Sequence, residues 1–504
     1  MSRPRSSIRH LGRALLLGLA SGAFAGGAAA ATIVVNSTAD TAGDDGVCTL
    51  REAAAAVNDD LPSGALAGEC AAGDSGVDEV VFALPPGSAI AASVFPFVFS
   101  QSVAIVGPGS GDLVITIGAQ DRVMVFDGTS LAQLSFSLTG VTIQSGVAIG
   151  PYGPRFDDTG GGLAAIQLRD LLLRDVRFYS NQAEAFGGGM AVEMLAGGTA
   201  TIEDCIFADN RVLSERGGGG GALYIMNAAS LTIRRSLFVG NTAFTGQMWT
   251  AEDPDGGALL VGGDGSLTIE NSTFSGNRAD GEGGAIAFGT TLAPSGPTVA
   301  TELASLTITD NSADHDGDYG VAAGGGVHTG WSGGLVVIGN SIVAGNSDSS
   351  SAVPPGHDVV GDTSTLLSRG YNWIGIRAGA GTVFAVGEPN ANQDWVGRLA
   401  ASLDPELGPL ADHGGPSFTH SPTLSPLSPV IDAGSCDLVD DQRGWSNPAT
   451  GERALDEPSA PNADDACDVG ALEAFLPNPD TIFTDGFEGS LDNWSVVSTR
   501  SHVD

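Results

Sequence analysis

The chain has 504 residues, of which 59 are acidic and 21 basic, for a formal net charge of −38. With 74 glycines, 42% apolar residues and no Gly-X-Y period, it is neither disordered nor collagen-like. Every basic residue is arginine, and so acidic a chain repels a phosphate backbone; nucleic acid is excluded as a partner, and anionic membranes and acidic polysaccharides are poor ones unless a divalent cation bridges them.

Arg3, Arg5, Arg9 and Arg13 precede an apolar run from Ala14 to Ala25 and the small residues Ala28-Ala29-Ala30. This is the layout of a signal peptide over residues 1–30. The leucine-rich part is short for a spanning helix, so cleavage is expected rather than a retained anchor. No later stretch is apolar enough to span a bilayer, so no integral membrane segment is expected after cleavage. Export makes the cysteines candidates for disulfides. Cys48, Cys70, Cys205, Cys436 and Cys467 fall as two, one and two along the chain. The expected bridges are Cys48–Cys70 and Cys436–Cys467, each closing a local loop.

Residues 31–78 read as an N-terminal cap. A strand at Ala31-Thr32-Ile33-Val34-Val35 leads to a short helix, where Thr49 and Glu52 have capping-box spacing and an alanine run follows. The segment Cys48-Thr49-Leu50-Arg51-Glu52-Ala53 resembles the CSLREA motif at the start of many exported bacterial β-helix proteins. Thr49 replaces the usual serine and keeps an N-cap oxygen. The resemblance implies the same architecture and brings no catalytic residue with it.

Residues 79–410 read as a solenoid. Val80-Val81-Phe82, Val103-Ala104-Ile105-Val106 and Leu113-Val114-Ile115-Thr116-Ile117 are strand-like, with a turn at Gly107-Pro108-Gly109. From about residue 155 one phrase recurs, as in Leu231-Thr232-Ile233…Ser236…Phe238…Asn241 and Leu267-Thr268-Ile269…Ser272…Phe274…Asn277. Its closing asparagines are Asn181, Asn210, Asn241, Asn277, Asn311 and Asn346, separated by 29, 31, 36, 34 and 35 residues. Glycine pairs followed by small and apolar residues sit between them, as in Gly220-Gly221-Ala222-Leu223, Gly256-Gly257-Ala258-Leu259 and Gly283-Gly284-Ala285-Ile286.

The period-two alternation inside each repeat predicts strands, two or three per coil. The glycine load excludes helical repeats. One coil cannot bury its own apolar face, so coils must stack. The expected fold is all-β, a right-handed parallel β-helix with a short N-terminal capping helix. The asparagines are expected to stack at one turn, where Asn tolerates unusual backbone angles and bonds locally. The phenylalanines would form a core ladder. Cys205 takes the slot of Ser236, Ser272 and Ser341 and is expected to be a buried, inert thiol. The FxxN and GGA(I/L) phrases over roughly residues 155–350 resemble the repeats of chlamydial polymorphic outer-membrane proteins and related bacterial β-helix proteins.

Residues 411–476 change texture. Asp412-His413-Gly414-Gly415-Pro416, Ile431-Asp432-Ala433-Gly434, Asp441-Gln442-Arg443-Gly444 and Asp468-Val469-Gly470-Ala471-Leu472-Glu473 resemble the C-terminal end of "choice-of-anchor" β-helix proteins. The resemblance implies that this region closes the solenoid ahead of an exchangeable sorting tail. Residues 477–504 hold the linker Pro477-Asn478-Pro479 and Asp485-Gly486-Phe487-Glu488, similar to the DGFE-type ending of many exported gammaproteobacterial proteins.

Three groups of residues are candidates for chemistry. Oxygen-rich loops at Asp314, Asp316 and Asp318, with a second at Glu252-Asp253-Pro254-Asp255, offer a Ca²⁺ site, although neither fits the EF-hand loop. Glu203, Asp204, Asp209, Glu270 and Asp310 are carboxylates that stacked coils could pair for glycoside hydrolysis, and Arg234, Arg235 or His328 could serve a lyase. His315, His328, His357, His413 and His420 lack the spacing of a metal hydrolase. No other cofactor is expected. The reading is an exported, secreted or cell-surface β-helix without enzymatic activity. It would present a long acidic surface for adhesion, to a glycan or a cell-surface protein. The alternative is a polysaccharide hydrolase or lyase on one face.

Overall fold

A computed structural model describes residues 30–474, except 131–132, 151–157, 215–216, 228, 246–252, 290–298, 318–323, 331–333, 352–355, 425–426, 449, 452 and 464–465. The signal-peptide expectation, the tail, Asp318 and Glu252 therefore lie outside the described residues, Ala30 apart.

Alternation sets each strand's inner face. In Leu113–Ile117 and Gly265–Glu270 every second side chain is buried. Successive coils then pair parallel and in register, as they must if one inner face is to stay continuous. One coil holds Leu223–Asn227, Ala229–Arg234, Leu237–Val239 and Thr242–Thr245. The next holds Leu259–Val261, Gly265–Glu270, Thr273–Ser275 and Arg278–Ala279. Leu223 pairs with Leu259, Leu231 with Leu267, Phe238 with Phe274 and Thr242 with Arg278. The fold is thus a parallel β-helix. Its coils carry up to four strand positions, more than the two or three expected.

The extra strands follow from sharp corners. A single left-handed residue separates the second strand from the third: Asp204 (φ 57°), Arg235 (49°), Asn271 (46°), Ser305 (53°) or Asn340 (48°). Another separates the third from the fourth: Ser180, Asp209, Gly240, Gly276, Asp310 or Gly345. One such residue turns the chain without a loop, so three-residue strands suffice. The ladder asparagines follow this second corner and do not themselves make it. The first glycine of the repeated pair is also left-handed (Gly256, φ +66°), and a Cβ on the second, Gly257, would lie 2.2 Å from the carbonyl oxygen of Gly284.

The asparagines bond chiefly between coils, Asn311 also donating locally to the Thr309 carbonyl (2.9 Å). The backbone N–H and Nδ2 of Asn210 both donate to Asn241 Oδ1, at 3.0 Å each. Asn241 Nδ2 donates to Asn277 Oδ1 (2.9 Å) and to the carbonyl of Phe207 (2.9 Å). The pattern continues through Asn311 and Asn346 and ends on Asp358 Oδ1. Burial pushes the Asp358 carboxyl up to about 7, against the hydrogen bonds of Asn346 that favour its anion. Beside this ladder the rings of Phe178, Phe207, Phe238 and Phe274 stack at 4.8, 4.7 and 4.5 Å.

The helix Leu50–Asp59 buries Leu50, Ala53, Ala54, Ala56 and Val57 against the solenoid core. Its motif is legible residue by residue. Cys48 bridges to Cys70, and Thr49 and Glu52 form a reciprocal capping box. Arg51 binds Asp40 and the carbonyls of Phe95 and Pro96. Thr49→Ala removes one cap and is expected to lower stability by about 1 kcal/mol in chemical denaturation. The parallel ladder already includes Thr32–Val35, paired with Asp78–Phe82, and its last rung pairs Trp373–Ile374 with Trp395–Val396.

The segment after residue 404 folds back along the outside of the third strand stack. Val430, Ala433 and Val469 pack on Ile342, Ala344 and Trp373. Further along, Ala471 N–H donates to Thr307 Oγ1 (3.1 Å), Thr273 Oγ1 donates to Gln442 Oε1 (2.6 Å), and Arg235 Nη1 donates to Asp440 Oδ2 (3.1 Å). This strap therefore spans several coils, and the Cys436–Cys467 disulfide clips it internally. Its repeated aspartates organise its turns. Asp441 accepts from the N–H groups of Arg443 and Trp445, and Asp468 from those of Asp432 and Ala474.

Candidate functional site

The second strand stack presents an outer face on which Thr199, Ser230 and Ser266 are exposed among the described residues. In register along it run Ser135, Asp170, Thr199, Ser230 and Ser266, and beside them Ser137, Leu172, Thr201, Thr232 and Thr268. These side chains point outward because their neighbours Leu171, Ala200, Leu231 and Leu267 fill the core. An open groove of about 360 Å³ lies over the earlier coils, lined by Val77, Ser135, Ser137, Asp170, Leu172 and Thr201 among others.

A third outward row carries charge: Arg174, Glu203, Arg234 and Glu270 succeed one another on adjacent strands. Arg174 Nη2 and Arg234 Nη2 each lie 2.8 Å from the Glu203 carboxylate, and Arg235 also pairs with it. Burial pushes the Glu203 carboxyl up, but the hydrogen bonds of Arg174 and Arg234 and the charge of Arg235 outweigh it, so the carboxyl sits below its ordinary range. Glu270 is half-buried and raised by that burial, with Arg234 opposing.

The sequence-predicted carboxylates do not converge on one point. Glu203 and Glu270 lie two strands apart, roughly 9–10 Å at the usual strand spacing, with Arg234 between them. Asp204 pairs with Arg235 at 2.8 Å. Asp209 and Asp310 sit at the next corner, where burial raises Asp209. Arg235 is held between Glu203, Asp204 and Asp440, and those partners keep it protonated against the cost of its burial, so it is no proton acceptor.

The histidines are dispersed. His328 lies on the first stack with Nδ1 2.8 Å from Glu282 Oε2, both buried. His315 lies against Phe244, and His357 Nδ1 accepts from the N–H of Asp348. His413 is half-buried, and its pKa is lowered by burial and by the charge of Arg443. His420 is buried between Ser275 Oγ (2.9 Å) and the Gly408 carbonyl (2.8 Å), an arrangement that pins the strap to the third stack. The carbonyl fixes Nδ1 as the donor, leaving Nε2 to accept from Ser275. The N–H of Gly276 beside this serine is directed at the Thr309 carbonyl (3.4 Å).

Of the proposed calcium ligands, Asp314 is buried and Asp316 exposed. Among the described residues no group of three or more His, Cys, Asp or Glu side chains is placed to hold a metal ion.

Cys205 occupies the slot that serine fills in sister coils. Its N–H donates to Ser236 Oγ, and the N–H of Ser236 donates to Ser272 Oγ. It is fully buried, and that burial pushes the thiol well above its ordinary pKa. The native protein is expected to show no reaction with an aromatic disulfide reagent until denaturant is added, while Cys205→Ser should fold normally.

A match to the right handed beta helix region family covers residues 113–274, and one to the Chlamydia polymorphic membrane protein repeat covers residues 271–289. The protein is thus a right-handed parallel β-helix. Within it the polymorphic-membrane-protein repeat falls on the coil with Phe274, Asn277 and Gly283-Gly284-Ala285-Ile286. No curated protein and no solved structure matches the chain. No helix among the described residues is long and apolar enough to cross a membrane.

Sequence reasoning missed the strap's course. It also missed the charged row, because its members are about 30 residues apart and only the register aligns them.

Proposed function

We propose that the protein is exported and stands at the outer cell surface or in the medium, where the second-stack face binds a partner without catalysis. The observation that carries this reading is the character of that face. It is hydroxyl-lined and edged by a row of paired charges, while the stacked Phe178, Phe207, Phe238 and Phe274 lie inside rather than outside as sugar platforms. The repeat match, the signal-peptide layout, the CSLREA-like cap and the DGFE-like tail support surface display. A glycan is the favoured partner, with Ca²⁺ offsetting the net negative charge where the glycan is acidic.

The opposite displacement of Glu203 and Glu270 on one face favours the second reading, a glycoside hydrolase with Glu270 as acid. Against it, three guanidinia neutralise Glu203, which leaves a poor base. The test is a glycan panel over the purified secreted protein, with and without Ca²⁺, scored for retention and for reducing or unsaturated ends. Retention without products is expected. Products that disappear in Glu270→Gln would replace the binding reading with the hydrolase.

A further inference from the structure

Most of the described arginines sit against a carboxylate, as the excess of acid over base makes easy. Two near the C-terminal end of the solenoid do not. Arg377 Nη1 donates to the carbonyls of Phe384 (2.7 Å) and Gly381 (3.2 Å), which fixes the guanidinium and leaves the Nη2 and Nε donors unused by these bonds. The backbone N–H of Arg377 bonds the carbonyl of Gly397, so Arg398 follows immediately beside it. Arg398 is exposed, and its side chain has no ion pair among the described residues. Both arginines line one open cavity of about 260 Å³ together with Ala378, Gly381 and Leu399, and among the described residues no acidic side chain lines it.

Two guanidinia on one small cavity repel each other unless an anion joins them. In a chain of net charge −38, a spot with two cations and no acid is the reverse of the prevailing pattern. We propose that this cavity binds the carboxylate of a small ligand, of the kind an acidic sugar unit carries. The planar fork of arginine matches a carboxylate in two parallel hydrogen bonds. Leu399 and Ala378 supply an apolar wall for the ligand's C–H edge. That wall favours a carboxylate borne on a sugar ring over inorganic phosphate or sulfate, which have no C–H face to lay against it. The site is separate from the second-stack face and does not depend on what that face binds.

The test is calorimetric titration of the intact protein with glucuronate, inorganic sulfate and glucose. Saturable glucuronate binding is expected, with sulfate weaker and glucose silent. Arg398→Gln and Arg377→Gln should each weaken glucuronate by about tenfold or more, since each removes a charge-assisted hydrogen-bonding partner. Arg398 is exposed and its replacement leaves the fold intact, whereas the Arg377 variant also loses two carbonyl contacts, so its melting curve is recorded alongside. Equal binding by wild type and Arg398→Gln would overturn the proposal. So would the absence of saturable binding, equal binding of glucose, or sulfate bound as tightly as glucuronate. Retention on the glycan panel through the second-stack face should be unchanged in Arg398→Gln, so the two readings fail independently.

Discussion

Asn241→Ala is expected to destabilise the solenoid by about 3–5 kcal/mol, among the largest effects of any polar substitution in the chain. The side chain is fully buried in mid-solenoid. Its Oδ1 accepts two hydrogen bonds from Asn210, and its Nδ2 donates to Phe207 O and Asn277 Oδ1. Alanine leaves the N–H of Asn210 and one of its two Nδ2 hydrogens without an acceptor where water does not reach, the other Nδ2 hydrogen staying on the Phe178 carbonyl. An unmade buried hydrogen bond costs more than a made one contributes, about 1–3 kcal/mol per group. Aspartate would restore the acceptor but not the donor, and its charge would be buried. An aspartate does stand at the ladder's end, where Asp358 accepts from the N–H and Nδ2 of Asn346 and, on its other oxygen, from the N–H of Ile376. Equilibrium unfolding in urea measures the loss. A change under 1 kcal/mol would mean the ladder adds little beyond the sheet hydrogen bonds.

The second large effect is in the strap. Arg453 and Glu473 are both fully buried and paired at 3.1 Å. Arg453 also donates to the carbonyls of Asp468 and Gly470. Arg453→Met leaves the Glu473 and Asp468 carboxyls without their counter-charge, a change that typically costs about 3–5 kcal/mol. The strap should then detach while the coils stay folded. Peptide-resolved amide exchange would show loss of protection over residues 405–474 with residues 163–310 unchanged. Global unfolding instead would show that the strap and the coils form one cooperative unit.

The same region responds to pH in two directions. Burial lifts Glu473 to about 7, against the charge of Arg453, and lifts Asp432 to about 6. Asp468 is raised by burial and then by the charge of Glu473. Groups raised in the folded state add stability that is complete below the unfolded carboxyl value and lost as pH climbs through the folded values. The part of the strap holding them should loosen between about pH 4 and 7. Burial lowers His413 and His420 instead, so the hairpin of Leu407–Ala411 and Thr419–Pro422 loses stability as pH falls below about 6.5. Amide exchange corrected for intrinsic rates should show the two parts moving oppositely. Parallel movement would count against this assignment.

The sequence by itself determined the architecture. A period of two inside repeats of about 30 residues, with glycine pairs at fixed intervals that keep those repeats from being helical, leaves stacked coils as the way to bury the apolar rows. The phenylalanine stack, the Cys205 slot, the capping box and the local disulfides were legible because each depends on neighbours in the chain or on the same place in the repeat. The corners were less so. Most corners carry Asp, Asn or Gly, the residues that enter the left-handed region most readily, but Arg235 and Ser305 take the same place, and Asp, Asn and Gly also recur elsewhere in each repeat, so the sequence did not mark where a coil breaks into a further strand.

Only the tertiary structure decided what lies outside the coils. Arg174, Glu203 and Arg234 become a charged row through strand register, which no local pattern displays. The strap binds coils far from it in sequence, as Asn271 meets Asp440 and Arg453. Arg377 and Arg398 share a cavity because each follows one of the paired strands Trp373–Ile374 and Trp395–Val396. The physical reason is the same in each case. Burial of alternate apolar residues is written locally and repeated, whereas pairing of charges depends on which surfaces the finished coils bring within a few ångströms.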